Sequence, residues 1–296
     1  MSTLIVITGP TGVGKTELCL RVADTFAIPV INADSRQIFK EIPIGTAAPT
    51  KEQMEHVPHY FVGTHHITEY YSASMYEQDV LKLIGKTEGL HLLSGGSMMY
   101  IDAVCNGIDD IPTIDNKTRE WMKQRLAIEG LPALVDELHE LDPEHWAIVD
   151  KNNPRRVVHA LEICHMTGKT YSSFRTNSRK QRPFDIIKIG INIDREQLYD
   201  RINQRVLQMI DNGMIEEARK VYPLRHLNAL NTVGYKELFE HFDGKATLEE
   251  AIFKIQSNTR RYARKQLTWF KRDESVKWFA PNQTNEIIDY IKQNIK

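Results

Sequence analysis

"LIVITGPTGVGKTELCLRVADTF", residues 4–26, decides the fold. "LIVIT" (4–8) is a short apolar run rich in β-branched residues, as expected of a buried strand. "GPTGVGKT" (9–16) follows and meets the spacing G-x-x-x-x-G-K-[ST] through Gly9, Gly14, Lys15 and Thr16, with Pro10, Thr11, Gly12 and Val13 between. Leu18, Val22 and Phe26 then recur at helical spacing. Glycines let backbone N–H groups turn inward around an anion, and the following helix points its positive end at it. Lys15 adds a charge, and the Thr16 hydroxyl suits Mg²⁺. An ordinary Gly-rich βα turn is the bland alternative, and the strand before and helix after weigh against it.

Working outward, "PVINAD" (29–34) and "HLLSGG" (91–96) read as further buried strands, separated by helical patterns. Short apolar strands alternating with helices predict an α/β fold, a P-loop NTPase-like parallel sheet flanked by helices. Residues 112–150 carry only helical periodicity, broken at Gly130, Pro132 and Pro143, and are expected to form a helical insertion. "DIIKIGINID" (185–194) should return to the sheet, giving a core of 1–111 and 151–296. A helix with Gly213 as its C-cap and a long basic helix over 248–272 complete it. "TNSRKQRP" (176–183) is the best candidate for a mobile loop.

The 296 residues are 41% hydrophobic and 26% charged, which is the profile of a globular chain. A net charge of −1 excludes a global pull toward polyanions, so any nucleic acid must be held by local basic clusters. Cys19, Cys105 and Cys164 form no C-x-x-C pair and read as buried hydrophobes in a reducing compartment. No apolar stretch approaches a membrane span and no signal peptide precedes the first strand, so the expected location is cytoplasmic. The histidines of "HVPHYFVGTHH" (56–66) fit no zinc spacing, and His165 beside Cys164 reads as packing.

A loop of this kind usually means ATP or GTP. Yet the guanine-reading N-K-x-D is missing, since "NKTR" (116–119) ends in arginine. Asp34 closes a strand expected next to the phosphate-loop strand, where a substrate-side acid would sit. Asp194 could end a metal-binding strand or simply cap the helix after it. "GPTGVGKT", "ADSRQIFKEIPIGTAAP", "SGGSMMY", "NTVGYKEL" and "NTRRYARKQLTWFKR", in that order, resemble the tRNA dimethylallyltransferases (tRNA isopentenyltransferases) of bacterial type over residues 9–272.

The resemblance implies transfer of a dimethylallyl group from dimethylallyl diphosphate to N6 of adenine 37, beside the tRNA anticodon, with diphosphate released. The loop would then hold the donor's diphosphate, which presents the same oxygens as a nucleotide's terminal phosphates. Lys15, Mg²⁺ on Thr16 and Arg205 would neutralise the leaving group, and Asp34 would be the general base. Read from the residues alone, Arg201 and Arg205 in "DRINQRVLQM" make a solvated helix face; the resemblance reverses this for Arg205.

Ser97 stands where the family usually has threonine, and is expected to contact diphosphate or base. For the anticodon stem-loop the resemblance points to Asp34, Ser35, Arg36 and Gln37, to Ser97, to Arg119, to Arg155 and Arg156, and to residues 231–236. His159 departs from the family's usual arginine. Arg261 and Arg264, interleaved with Tyr262, Trp269 and Phe270, suit phosphate contacts with stacking and also an amphipathic helix; both are expected to hold, with basic residues outward and aromatics inward. A monomer is expected. A P-loop small-molecule kinase and a regulatory RNA-binding P-loop protein are the rival readings; retention of Lys15, Thr16 and Asp34 together speaks against the second.

Overall fold

The computed structural model describes residues 2–176 and 179–295. The chain divides into two compact units, Met1–Asn106 with Arg182–Lys296, and Gly107–Gln181.

The larger unit opens with β1 (Ser2–Thr8), α1 (Lys15–Phe26), β2 (Val30–Asn32), α2 (Lys51–His56), β3 (His59–Tyr60), α3 (Ala73–Ile84), β4 (Leu90–Ser94) and α4 (Met98–Asn106). In the smaller unit lie α5 (Asn116–Leu141), α6 (Pro143–Ile148), α7 (Pro154–Thr167) and α8 (Tyr171–Phe174). The larger unit resumes with β5 (Phe184–Ile191), α9 (Arg195–Asp211), α10 (Met214–Val221), α11 (Tyr235–Phe242), α12 (Leu248–Phe270), β6 (Lys277–Phe279) and α13 (Thr284–Asn294).

All strand pairs are parallel, in the order β3-β2-β4-β1-β5-β6. β1 is flanked in register by β4 (Ile5 opposite Leu92) and β5 (Ile5 opposite Ile187). A parallel sheet covered on both faces needs strands that are apolar on both sides, which "LIVIT" supplies. Ile5 and Ile7 pack with Leu18 and Val22 of α1 and Ile287 of α13. Leu4 and Val6 point the other way, toward Tyr76 and Val80 of α3 and Val104 of α4. A third core joins Ile38 and Ile42 to Val206, Met214, Tyr235, Leu238 and Ile255 of the later helices. β5 enters the sheet as its apolar run predicts. β4 lies between β1 and β2, so the strand leading to Asp34 is one strand removed from the phosphate-loop strand.

The smaller unit is helical and packs on its own core of Met122, Leu134, Leu138, Val157 and Leu161. Gly130 (φ 80) breaks α5 into two segments, with Pro132 just beyond. The unit runs past both ends of the 112–150 interval, because Val157 and Leu161 of α7 complete its core. The fully buried Asp142 carboxylate is satisfied by N–H donors of His145 and Ser172 and by the Ser172 hydroxyl.

Of the loop expected at 176–183, residues 177 and 178 lie outside the described residues. Thr176 donates to Asp109 and Lys180 pairs with Asp110 in the smaller unit, while in the larger one Arg182 pairs with the buried Glu77. All three cysteines are buried, and burial pushes the Cys19 thiol up to about 11 and that of Cys105 to about 12. Thiols held protonated are inert as nucleophiles.

Candidate active site

The phosphate loop leaves β1 and enters α1 through Gly14, whose φ of 103° places the N-cap in the left-handed region that a side chain strains to adopt. Lys15 opens α1 and folds back on the loop, donating to the carbonyls of Gly9 (2.9 Å) and Pro10 (2.8 Å). Burial and the neighbouring Arg205 guanidinium pull its pKa down to about 8, with Cys19 and Asp34 opposing. Arg205 is itself desolvated, which lowers its pKa, while Asp34 draws it up. Two cations crowded beside an anion cradle repel each other, and an incoming anion relieves that repulsion.

Arg201 and Arg205 do not lie on a free solvated face. Arg201 donates to the Val13 carbonyl (3.2 Å) and Arg205 to the Thr11 hydroxyl (3.3 Å), so α9 grips the phosphate loop at two points one turn apart. Asp194 caps α9 by accepting from Glu196 N and Gln197 N, and it lines neither chamber described below.

Asp34 follows β2 in a tight turn. Its Oδ1 accepts from Arg36 N (2.9 Å) and Gln37 N (3.4 Å). That turn is braced from the end of β4. Ser97, 7% exposed, accepts from Ser35 N (2.8 Å) and donates to Ser35 Oγ (3.0 Å). Gly95 has to be glycine, because a Cβ there would stand 2.1 Å from the Ala33 carbonyl oxygen. Arg36 reaches the Asn228 and Ala229 carbonyls (both 3.1 Å), and Gln37 the Thr46 and Ala47 carbonyls (3.0 and 3.1 Å).

These groups border two chambers. The first, about 480 Å³, is lined by Gly12, Gly14, Lys15, Thr16, Arg201 and Arg205, with Asn32, Ser94 and His59. The second, about 320 Å³, is lined by Ser35, Arg36, Ser97, most of the 231–236 segment and the apolar Ile202, Val206, Met209 and Ile255. Thr11, Asp34, Thr46, Ala47, Arg205 and Tyr262 border both. The acid thus stands between a cationic, loop-lined space and one of mixed polar and apolar lining. Gly9, Pro10 and Val13 shape the loop without lining either chamber.

Among the described residues, Asp34 is the only carboxylate lining the first chamber, and no group of three His, Cys, Asp or Glu is placed to hold a metal. Thr16 is one of several hydroxyls around this chamber, and hydroxyls with a single carboxylate suit a cation held mainly by substrate phosphates and water.

The remaining expected contacts lie elsewhere. Arg261 and Arg264 are exposed on α12, Arg261 touching Asn258 (3.3 Å). Arg119 on α5 and Arg155 and Arg156 in the first turn of α7 belong to the smaller unit, Arg155 and Arg156 exposed. His159, near them on α7, faces Glu162 at 3.6 Å and the Tyr171 ring. The aromatics of α12 divide: Phe270 is buried, Trp269 donates to Asp102 (2.8 Å), and Tyr262 looks into the chambers.

Two residues escaped the sequence reading. Gln266, buried on α12, bridges the phosphate loop and the β4 turn. Glu217, buried on α10, accepts from Ile44 N and Gly45 N (both 2.8 Å) and from the Tyr235 hydroxyl, fixing the loop that bears Thr46 and Ala47. For both, the available signal was a polar residue on the apolar face of an amphipathic helix.

The family model of the IPP transferases matches residues 37–273. The tRNA dimethylallyltransferase 1 of Phocaeicola vulgatus is 61% identical over 292 residues, covering 98% of this chain and 97% of that protein. Its counterpart from Bacteroides thetaiotaomicron is 58% identical, covering 100% and 97%. Among solved structures, the tRNA isopentenylpyrophosphate transferase of Bacillus halodurans superposes with a TM-score of 0.72 at 34% identity, covering 99% of this chain and 96% of that one. With the family model spanning most of the chain and relatives aligned end to end, the chain belongs to the IPP transferase family, as an enzyme of the tRNA dimethylallyltransferase kind.

Proposed function

We propose that the enzyme moves a dimethylallyl group from dimethylallyl diphosphate onto N6 of adenine 37 in the tRNA anticodon stem-loop, and that it works in the cytoplasm. The observation that carries this is the position of Asp34, at the junction of a cationic phosphate chamber and a second chamber bordered by the 231–236 segment. The donor's diphosphate lies in the loop, under Lys15 and Arg205. An adenine lifted from its stack enters the second chamber, as chemistry on a stacked base requires. Asp34 accepts a hydrogen bond from the amine, and takes its proton as the new C–N bond forms and the C–O bond to diphosphate breaks.

Charge on the departing diphosphate is stabilised by groups already in place, which is where electrostatic catalysis gains most. Thr16 would hold Mg²⁺ together with the diphosphate oxygens, supplying further neutralisation of the leaving group. Ser97 holds the Ser35 end of the acid's turn. Arg119, Arg155, Arg156, Arg261 and Arg264 serve the RNA backbone.

The test is incubation with unmodified tRNA and labelled dimethylallyl diphosphate, beside an ATP hydrolysis assay. Label transferred to tRNA with no tRNA-dependent ATP turnover supports the reading. ATP turnover without label transfer points to phosphoryl transfer instead.

A further inference from the structure

Gln266 is 1% exposed, and both ends of its amide are engaged. Oε1 accepts from Thr11 N (2.9 Å) in the phosphate loop, and Nε2 donates to the Gly96 carbonyl (2.7 Å) after β4. The orientation is dictated by chemistry, since Thr11 offers only a donor there and Gly96 only an acceptor. Tyr262, one turn earlier on α12, reaches the same carbonyl at 3.5 Å. Gly96 leads directly into Ser97, whose hydroxyl holds Ser35, the residue after Asp34. A Cβ at position 96 would stand 2.5 Å from Gln266 Nε2, so the approach is close. One side chain thus ties the diphosphate cradle to the strand end that braces the acid, while the Thr11 amide is committed to α12 rather than to an anion.

From this bridge we propose that Gln266 is a positioning residue that sets the spacing between the phosphate loop and Asp34, holding donor and acceptor at reacting distance. This rests on the prenyl-transfer reading above. Gln266 also borders the first chamber, but both ends of its amide are engaged within the protein, so it acts through Thr11 and Gly96.

The test compares Gln266→Met and Gln266→Glu with the wild-type enzyme by single-turnover transfer, donor affinity and tRNA affinity. Met fills the space but bonds neither partner. Its affinities should stay within about threefold while transfer slows ~10²-fold, the scale of a misplacement near 1 Å. Glu keeps the bond from Thr11 N, but when ionised it sets an oxygen against the Gly96 carbonyl; protonated, it can donate. The Glu variant's rate relative to wild type should therefore rise as pH falls, while the Met ratio stays flat. Should Met fail to fold, the pH trend of Glu carries the test. Unchanged rates in both variants, a rate loss matched by equal loss of donor affinity, or a Glu ratio without pH trend would overturn the proposal. Wild-type turnover in the same assay reports separately on prenyl transfer, so a fall confined to the variants bears on Gln266 alone.

Discussion

Asp34 spends one oxygen on structure, its Oδ1 holding the backbone amides of Arg36 and Gln37. Oδ2 lies beside Gly96, where the two chambers meet. An adenine amine is a poor nucleophile, because its lone pair is delocalised into the ring. A carboxylate accepting from N6 both orients the amine and takes its proton during bond formation. Asp34→Asn keeps an acceptor oxygen for the turn yet has no basic site for the proton. The expected fall in kcat is ~10²–10⁴, the usual worth of general acid–base catalysis, with tRNA affinity largely kept. Steady-state kinetics with a tRNA-binding assay decide this. Wild-type kcat in the variant would reduce Asp34 to a positioning group, and loss of diphosphate binding would make it part of the metal and phosphate site.

At the scale of elements, α12 presents two faces of different character. Ala263, Gln266 and Phe270 turn inward, while Arg261, Arg264 and Lys265 face solvent. Two phosphate contacts on this helix would release counterions, so charge reversal at both Arg261 and Arg264 should weaken tRNA binding. It should also flatten the plot of log affinity against log salt by about 1.4–1.8. Donor affinity, set on the opposite face, should stay put. Filter binding over a salt series measures both, and an unaltered slope would remove these arginines from the RNA interface. The basic and aromatic character of this helix was legible in the sequence because charge and periodicity are local signals. So was the phosphate loop, whose strand, glycines and lysine are contiguous. Gln266 left only a weak trace, a polar residue on the apolar face of the helix, and its partner Thr11 is 255 positions away. Ser97 stood out through "SGG", but its pairing with Ser35, 62 positions away, needed the fold. The edge strands β3 and β6, two and three residues long, are too short for any alternation to show. β2 looked like a neighbour of β1 because sequence order hides the insertion of β4 between them.

For the whole molecule, the depressed pKa of Lys15 links proton binding, anion binding and stability. In the ligand-free fold the ammonium titrates near 8, against the 10.5 of an unstrained lysine. Between those values the unfolded chain binds more protons, so this group's contribution to the stability of the ligand-free enzyme rises with pH across that window. An anion in the cradle reverses the balance, since a nearby opposite charge favours the protonated form and lifts the pKa again. Ligand binding near pH 8 should therefore take up a proton, and affinity should fall roughly tenfold between pH 7 and pH 9, where the free site loses its charge. An alkyl diphosphate that cannot transfer its chain is a suitable probe, because its terminal phosphate, with a second pKa of about 6, is already about nine-tenths ionised at pH 7 and changes little above it. At a hundredfold excess over Kd it should stabilise the fold by about 2.7 kcal/mol at pH 7, visible as a raised Tm, with a smaller rise at pH 9. Lys15→Ala should abolish the pH trend and, in turnover with the prenyl donor, cost ~10²–10³ in rate through the lost charge on the leaving group. Calorimetry in two buffers of different ionisation enthalpy would count the proton directly. Equal thermal shifts at both pH values in the wild type, or a trend that survives in the alanine variant, would mean that the diphosphate is held by the loop amides and Arg205 without Lys15.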